Sequence, residues 1–277
     1  MDKPKIEVII PTKQRYEFLA LCIQSLTTQT YDNWDLLIID DSENPINITQ
    51  IPFIAPFLNW MQNNKHEWRV LFGRKSGQHH CHQIGLENAK ANLLLRVDDD
   101  CVLDPNYMEH LVNVLTTEKH CGAVSGLVLD PNIKNEQQLM PENWKDLKEF
   151  SGKVWEKDGK PEHSAALQWF IHRDKEIKAV QHLHSTFLYR KAAALAVDGW
   201  QDQIDDGVSL VAMCEETRFT YKLYLAGWNM FINPNVVSWH LKAPTGGTRT
   251  NKEKENLSKL YFADREKFDI WFKSTKK

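Results

Sequence analysis

The stretch Leu93-Leu94-Leu95-Arg96-Val97-Asp98-Asp99-Asp100 decides the fold class. Its apolar run is too short for an ordinary helix and ends on three acids, so it reads as a buried strand with charge at its C-terminal end. The same grammar recurs upstream. Trp34-Asp35-Leu36-Leu37-Ile38-Ile39 stops at Asp40-Asp41-Ser42, and Ile6-Glu7-Val8-Ile9-Ile10 stops at Pro11-Thr12. Phe18, Leu19, Cys22, Ile23 and Leu26 recur at helical spacing after the first run; residues 69–72 suit a further strand and residues 78–89 a helix. Strand and helix alternation of this kind predicts an α/β fold, a mostly parallel sheet flanked by helices.

In an open α/β sheet the ligand crevice lies at the carboxyl ends of the strands, so five carboxylates collect at one edge. Clustered like charges are costly unless a cation and hydrogen-bond donors neutralise them, and hard oxygen ligands suit magnesium or manganese. Acids after strands also close turns, and for Asp40-Asp41 that reading stays open.

Downstream, Asp104-Pro105 reads as a helix start, the acid capping free N–H groups and proline sitting where its missing N–H costs nothing. Tyr107, Met108, Leu111, Val112 and Leu115 form the stripe of that helix. Strands are expected over residues 122–129, 183–189, 228–232 and 236–239, a short helix over 191–197, and a helix over 215–226 stopped by Gly227. Residues 130–161 turn polar and read as an excursion from the sheet. The Lys-rich tail is expected to end in an amphipathic helix with Leu257, Leu260, Tyr261, Phe268 and Trp271.

The 277 residues carry 34 basic and 37 acidic side chains, a net charge of −3. Without a basic surplus, nucleic acid is not the expected partner. No apolar run is long enough to span a bilayer, and residues 1–10 lack the pattern of a signal peptide, so the expected compartment is the cytoplasm. Five scattered cysteines read as reduced thiols.

The ordered set of motifs resembles the GT-A glycosyltransferases of the family 2 type, which are nucleotide-sugar-dependent. It comprises VIIPTKQR (8–15), LLIIDDS (36–42), GLENAKANLLLRVDDDCVLDPNYM (85–108), LYRKAAALAVDGW (188–200), EETRFTYKLYLAGW (215–228) and VVSWH (236–240). The resemblance implies a GT-A domain over residues 1–244, with a nucleotide-sugar-binding half (1–104) and an acceptor-binding half (105–244), then a mobile loop and helical extension (245–277). Its implied donor contacts are Pro11, Thr12, Arg15, Asp40, Asp41, Gly77, Asp98 and Asp99, with Asp41 at the nucleobase, commonly uracil. The DXD members Asp98 and Asp100, with His240, are the implied ligands of Mn2+ or Mg2+, and Glu216 the implied base. Lys13-Gln14, Gln83 and Glu216 stand where the family more often has Tyr-Asn, Asn and Asp.

The chemistry agrees with that assignment. Breaking a sugar–diphosphate bond develops negative charge that a cation stabilises, while a carboxylate takes the proton of the acceptor hydroxyl. Glu216 lies in the first turn of its expected helix, where the dipole favours the ionised base. A single base and direct displacement imply inversion at the anomeric carbon. Glu215, Trp200, His184 and Trp239 are expected on the acceptor side, and Trp144, Trp155 and Trp169 are further candidates for stacking on sugar. The acceptor is a glycan, a lipid-linked group or another hydroxyl compound, and the Lys-rich tail could touch a membrane surface peripherally.

Thr245-Gly246-Gly247-Thr248-Arg249 reads as a closing loop with Arg249 on the diphosphate. His79-His80-Cys81-His82 offers zinc-ligand types, but four consecutive residues do not form a tetrahedron, and a polar contact near the donor is expected instead. Rival readings are a haloacid-dehalogenase-like phosphohydrolase with Asp98 as nucleophile, a nucleotidyltransferase, and a non-catalytic nucleotide- or carbohydrate-binding module of the same fold.

Overall fold

The computed structural model describes residues 3–73, 76–131, 155–157, 160–162, 175–244, 246 and 254–275. The strands are β1 (Ile6–Thr12), β2 (Trp34–Asp40), β3 (Trp68–Phe72), β4 (Leu93–Arg96), β5 (Cys101–Leu103), β6 (Cys121–Leu129), β7 (Trp155–Lys157), β8 (Lys160–Glu162), β9 (Lys178–Val180), β10 (Phe187–Arg190) and β11 (Asn229–His240). The helices are α1 (Tyr16–Thr27), α2 (Ala55–Asn63), α3 (Gln78–Asn88), α4 (Tyr107–Thr117), α5 (Lys191–Leu195), α6 (Gln201–Asp205), α7 (Glu215–Leu225) and α8 (Lys254–Ser274).

Nine of these strands form one sheet in the order β3-β2-β1-β4-β10-β6-β11-β5, with β9 also on β11. β3, β2, β1 and β4 are mutually parallel, and β6 pairs parallel with β11, while β10, β5 and β9 run against their neighbours. Every residue of β1 is buried, as its unbroken apolar run requires of a strand covered on both faces. One core cluster packs α1, α2 and α4 on one face, and a second packs α3, α5 and α7 on the other.

The order reverses at β1, which has β2 on one side and β4 on the other. Such a switch point opens a crevice at the strand ends. Register places Thr12 opposite Asp40, and Asp41 N–H donates to Thr12 O at 2.8 Å. On the other side Ile9 faces Arg96, and Val97 N–H donates to Ile9 O, so the strand delivers Asp98–Asp100 level with Pro11–Thr12.

Several sequence expectations are corrected. Asp104 does not cap the next helix, whose capping position is Asn106. Its carboxylate instead accepts from Val237 N–H at 2.8 Å and Trp239 Nε1 at 3.2 Å, holding β11 against the short strand β5. Beyond Asp41 the chain also forms α2, with Pro56 in its first turn, where it needs no N–H partner. The two expected C-terminal strands are one, β11, with its register shifting between Ile232 and Val237. Most of the polar excursion, including Trp144, lies outside the described residues, as do Trp169 and Arg249, while Trp155 begins β7.

Candidate active site

A cleft of about 380 Å³ opens at the switch point, lined by Pro11, Thr12, Lys13, Arg15, Asp41, Gly77, Gln78, Cys81, the three acids Asp98–Asp100, and His240. Leu210, Val211, Met213 and Tyr261 complete its lining. Pro11, Thr12, Asp41, Gly77, Asp98, Asp99, Asp100 and His240, distant in sequence, therefore meet in one place.

Each acid has its own surroundings. Asp98 accepts from Gln78 Nε2 at 2.6 Å, and burial raises its carboxyl above the ordinary value against the opposing charge of Arg96. Asp99 is fully buried, with Thr12 Oγ1 at 2.7 Å and the Arg15 guanidinium at 2.5 Å; burial prevails over both and lifts it to about 7. Burial acts the same way on Asp100, but His240 Nε2 at 3.2 Å, Arg15 at 3.1 Å and the Ala243 N–H at 2.9 Å outweigh it and hold this carboxyl far below its ordinary range. Arg15 thus lines the cleft while spending its fork on two of the carboxylates.

Asp98, Asp100, Cys101 and His240 each offer one ligand atom, all within 4.8 Å of one another. Two carboxylate oxygens and an imidazole nitrogen on the rim of a cleft are a donor set that fits Mn2+ or Mg2+. The His79–His82 run does not converge in this way. His79 and His82 turn into the protein on α3, and His82 Nε2 accepts from Arg96 at 2.8 Å, which with burial keeps its pKa well below the ordinary value.

Asp41 lines the cleft but also anchors the start of α3, accepting from Ser76 N–H at 2.9 Å and Gly77 N–H at 3.1 Å. Gly77 itself has φ 91°, a left-handed conformation, and its Cα faces Leu210 so closely that a β-carbon would lie 2.8 Å away.

Three expected contacts are corrected by burial. Asp40 is enclosed, accepting from Tyr16 Oη at 2.9 Å and Ser42 N–H at 2.9 Å, so it shapes the loop and does not line the cleft. Trp200 is fully buried, stacked on Phe219 at 3.8 Å and on His82 at 5.2 Å, leaving neither ring face for a sugar. Glu215 is buried, ion-paired to Arg96 and bonded to Trp200 Nε1 at 2.6 Å; it holds α7 to the sheet and is closed to an acceptor. Trp239, by contrast, is about one-third exposed beside His240.

Glu216 is the next residue of α7 and is partly exposed, with His184 Nδ1 3.8 Å from its Oε1. Burial disfavours its charge, but His184 and then Arg96 prevail and hold the carboxyl down at about 2. The residue that these acids share is Arg96, which sequence reading passed over. Fully buried, it contacts Glu215, reaches to 3.4 Å from Asp98 and donates to Ser185 O. The signal was a single cation inside an apolar strand, which must find partners when buried. Gln78, Lys13, Leu210, Val211, Met213 and Tyr261 were missed as well; nothing in their local pattern says that they face a cleft.

Residues 7–177, more than half of the chain, match the family described as Glycosyl transferase family 2, and the chain belongs to that family. Among curated proteins, a putative glycosyltransferase EpsH of Bacillus subtilis is 23% identical over 162 residues, 56% of this chain and 45% of that protein. The chain thus spans less than half the length of this relative. Among solved structures, GalNAc-T7 with UDP, GalNAc and Mn2+ superposes with a TM-score of 0.58 at 13% identity, over 95% of this chain and 50% of that one. A mannosyltransferase from Pyrobaculum calidifontis in complex with GDP-Man and Mn2+ superposes with a TM-score of 0.57 at 12% identity, over 96% of this chain and 65% of that one. These likenesses bear out the GT-A fold; the family match bears out the resemblance read from the motifs and leaves the phosphohydrolase reading without support.

Proposed function

We propose that this chain transfers a sugar from a nucleoside-diphosphate sugar, a UDP-sugar by the family's habit at Asp41, to an acceptor hydroxyl with inversion. The observation that carries this reading is the convergence of Asp98, Asp100 and His240 beside Pro11, Thr12 and Asp41 in one cleft. The mannosyltransferase and GalNAc-T7 structures, each holding a nucleotide or nucleotide sugar and Mn2+, support it.

Asp98, Asp100 and His240 would hold the cation, which when bound supplies Lewis-acid stabilisation for the charge developing on the diphosphate. Thr12, Asp41 and Gly77 would seat the nucleoside. Arg15 spreads positive charge over Asp99 and Asp100, keeping the acidic edge tolerable before ligand arrives. Glu216 takes the proton of the acceptor hydroxyl as its oxygen bonds to the anomeric carbon. The carbon–oxygen bond to the diphosphate breaks and its electron pair leaves with the nucleotide. Holding Glu216 ionised is the part played by His184 and, more remotely, Arg96.

A thermal-shift panel of nucleotide sugars with and without Mn2+ tests this. A ligand that binds only the folded state at a hundred times its Kd stabilises by about 2.7 kcal/mol. Metal-dependent stabilisation by a UDP-sugar is expected, with loss in Asp100→Asn. No shift with any uridine donor would remove the uracil assignment.

A further inference from the structure

The family match ends at residue 177, yet the cleft does not. Part of its lining comes from the loop that leads into α7 and from the C-terminal helix α8. These two segments are joined by one buried carboxylate. Asp264 of α8 is 1% exposed and accepts from Ser209 N–H at 2.8 Å, Ser209 Oγ at 2.7 Å and Met213 N–H at 3.4 Å. A buried aspartate with three donors is fully satisfied, and those donors belong to the loop whose Leu210, Val211 and Met213 face the cleft.

That loop needs holding. Ala212 (φ 51°) and Cys214 (φ 63°) are both in the left-handed region, which residues with a β-carbon adopt only when their surroundings impose it. Cys214 is directly followed by the first turn of α7 with Glu215 and Glu216. Helix α8 also grips the outer side of α7: Phe272, fully buried, packs on Tyr221 with ring centroids 5.3 Å apart, and the Arg218 guanidinium lies 4.9 Å over Trp271. From this double attachment α8 carries Tyr261 to the cleft.

We propose that the C-terminal helix completes the transferase site, Asp264 being the positioning residue that fixes the 209–213 loop and the first turn bearing Glu216, and Tyr261 a specificity-determining wall that contacts the donor. A tyrosine beside Leu210 and Val211 offers an apolar face with a polar rim, the surface that a pyranose or a base stacks on. This rests on the donor reading of the cleft for Tyr261; the role of Asp264 in ordering the loop does not.

The experiment uses the full chain and its Asp264→Ala, Asp264→Asn, Tyr261→Ala and Tyr261→Phe variants. By hydrogen exchange, the amides of residues 209–216 in Asp264→Ala should exchange at least tenfold faster while those of β1 and β4 are unchanged, with Asp264→Asn intermediate. With the best donor from the panel, Asp264→Ala should lower kcat about tenfold at nearly constant donor KM. Tyr261→Ala should raise donor KM about tenfold at nearly constant kcat and narrow the preference among donors, with Tyr261→Phe recovering most of the loss. Unchanged exchange in Asp264→Ala, or faster exchange with unaltered kcat, overturns the positioning role. Unaltered donor KM and preference in Tyr261→Ala overturn the wall. A wild-type chain that binds no nucleotide sugar overturns the donor reading and Tyr261 with it, and the exchange data then decide Asp264 alone.

Discussion

At the scale of single residues, the site runs on carboxylates kept in different states by their neighbours. Glu216 must be ionised to accept a proton, and His184 is the group that favours its charge most. Removing His184 raises the Glu216 pKa, and a base is lost as pH falls through its pKa, so His184→Ala should move the acid limb of kcat/KM to higher pH. Glu216→Gln should lower kcat by about 10² to 10⁴, the usual worth of a general base. An acid limb that stays put in His184→Ala would remove the pairing from the mechanism. Asp99 behaves oppositely. Its pKa rises from 3.8 to about 7 on folding, so the native state keeps a proton that the unfolded chain has released between those values. Stability from this group is therefore present at low pH and declines as pH rises from about 4 to 7. Asp99→Asn should gain stability relative to wild type between pH 5 and 8 in urea titrations; a pH-independent difference would show that Arg15 and Thr12 already keep Asp99 ionised.

At the scale of elements, what the sequence made legible was whatever repeats a period. The apolar runs ending in acids gave β2 and β4, and the run ending in Pro11-Thr12 gave β1, each within a residue or two, while Thr12, Asp41, Gly77, Asp98, Asp100 and His240 line one cleft. What it hid depends on partners far along the chain. Asp104 followed by Pro105 carries the chemistry of a cap, yet β11 presents Val237 N–H and Trp239 Nε1 to that carboxylate and wins it. Trp200 lies inside a motif next to the acceptor side, but a motif fixes where the backbone passes and not which way a ring points. Close packing of α3 on the sheet is one element-level feature that can be tested directly. A β-carbon on Gly85 would lie 2.7 Å from Ile9 Cγ2, in the middle of β1. Gly85→Ala should cost about 1–3 kcal/mol, as overpacking does, despite alanine's better helix propensity. A neutral or stabilising result in chemical denaturation would mean that α3 shifts freely over the strand.

At the scale of the whole molecule, the two large core clusters sandwich the sheet, whereas α8 is attached through a small third cluster of Tyr221, Phe272 and Trp271. The contrast in size sets the order in which the structure opens. Elements with few buried apolar contacts unfold locally at lower cost than the core, and α8 also leaves Phe262 and Ile270 exposed on its outer side. Phe272→Ala deletes a fully buried ring, a change worth about 3–5 kcal/mol where the ring is held by a core. Here that loss should fall on α8 and not on the sheet. Trypsin should then cut at Lys259 or Arg265 well before any site in β1 to β4, while the main unfolding transition in urea moves little. Donor and Mn2+ together should slow that cleavage in wild type, because a ligand seated against Tyr261 and the 209–213 loop favours the docked helix. If Phe272→Ala instead lowers the single cooperative transition by the full amount, with no early cleavage, α8 belongs to the same folding unit as the sheet, and the cleft never exists without its C-terminal wall.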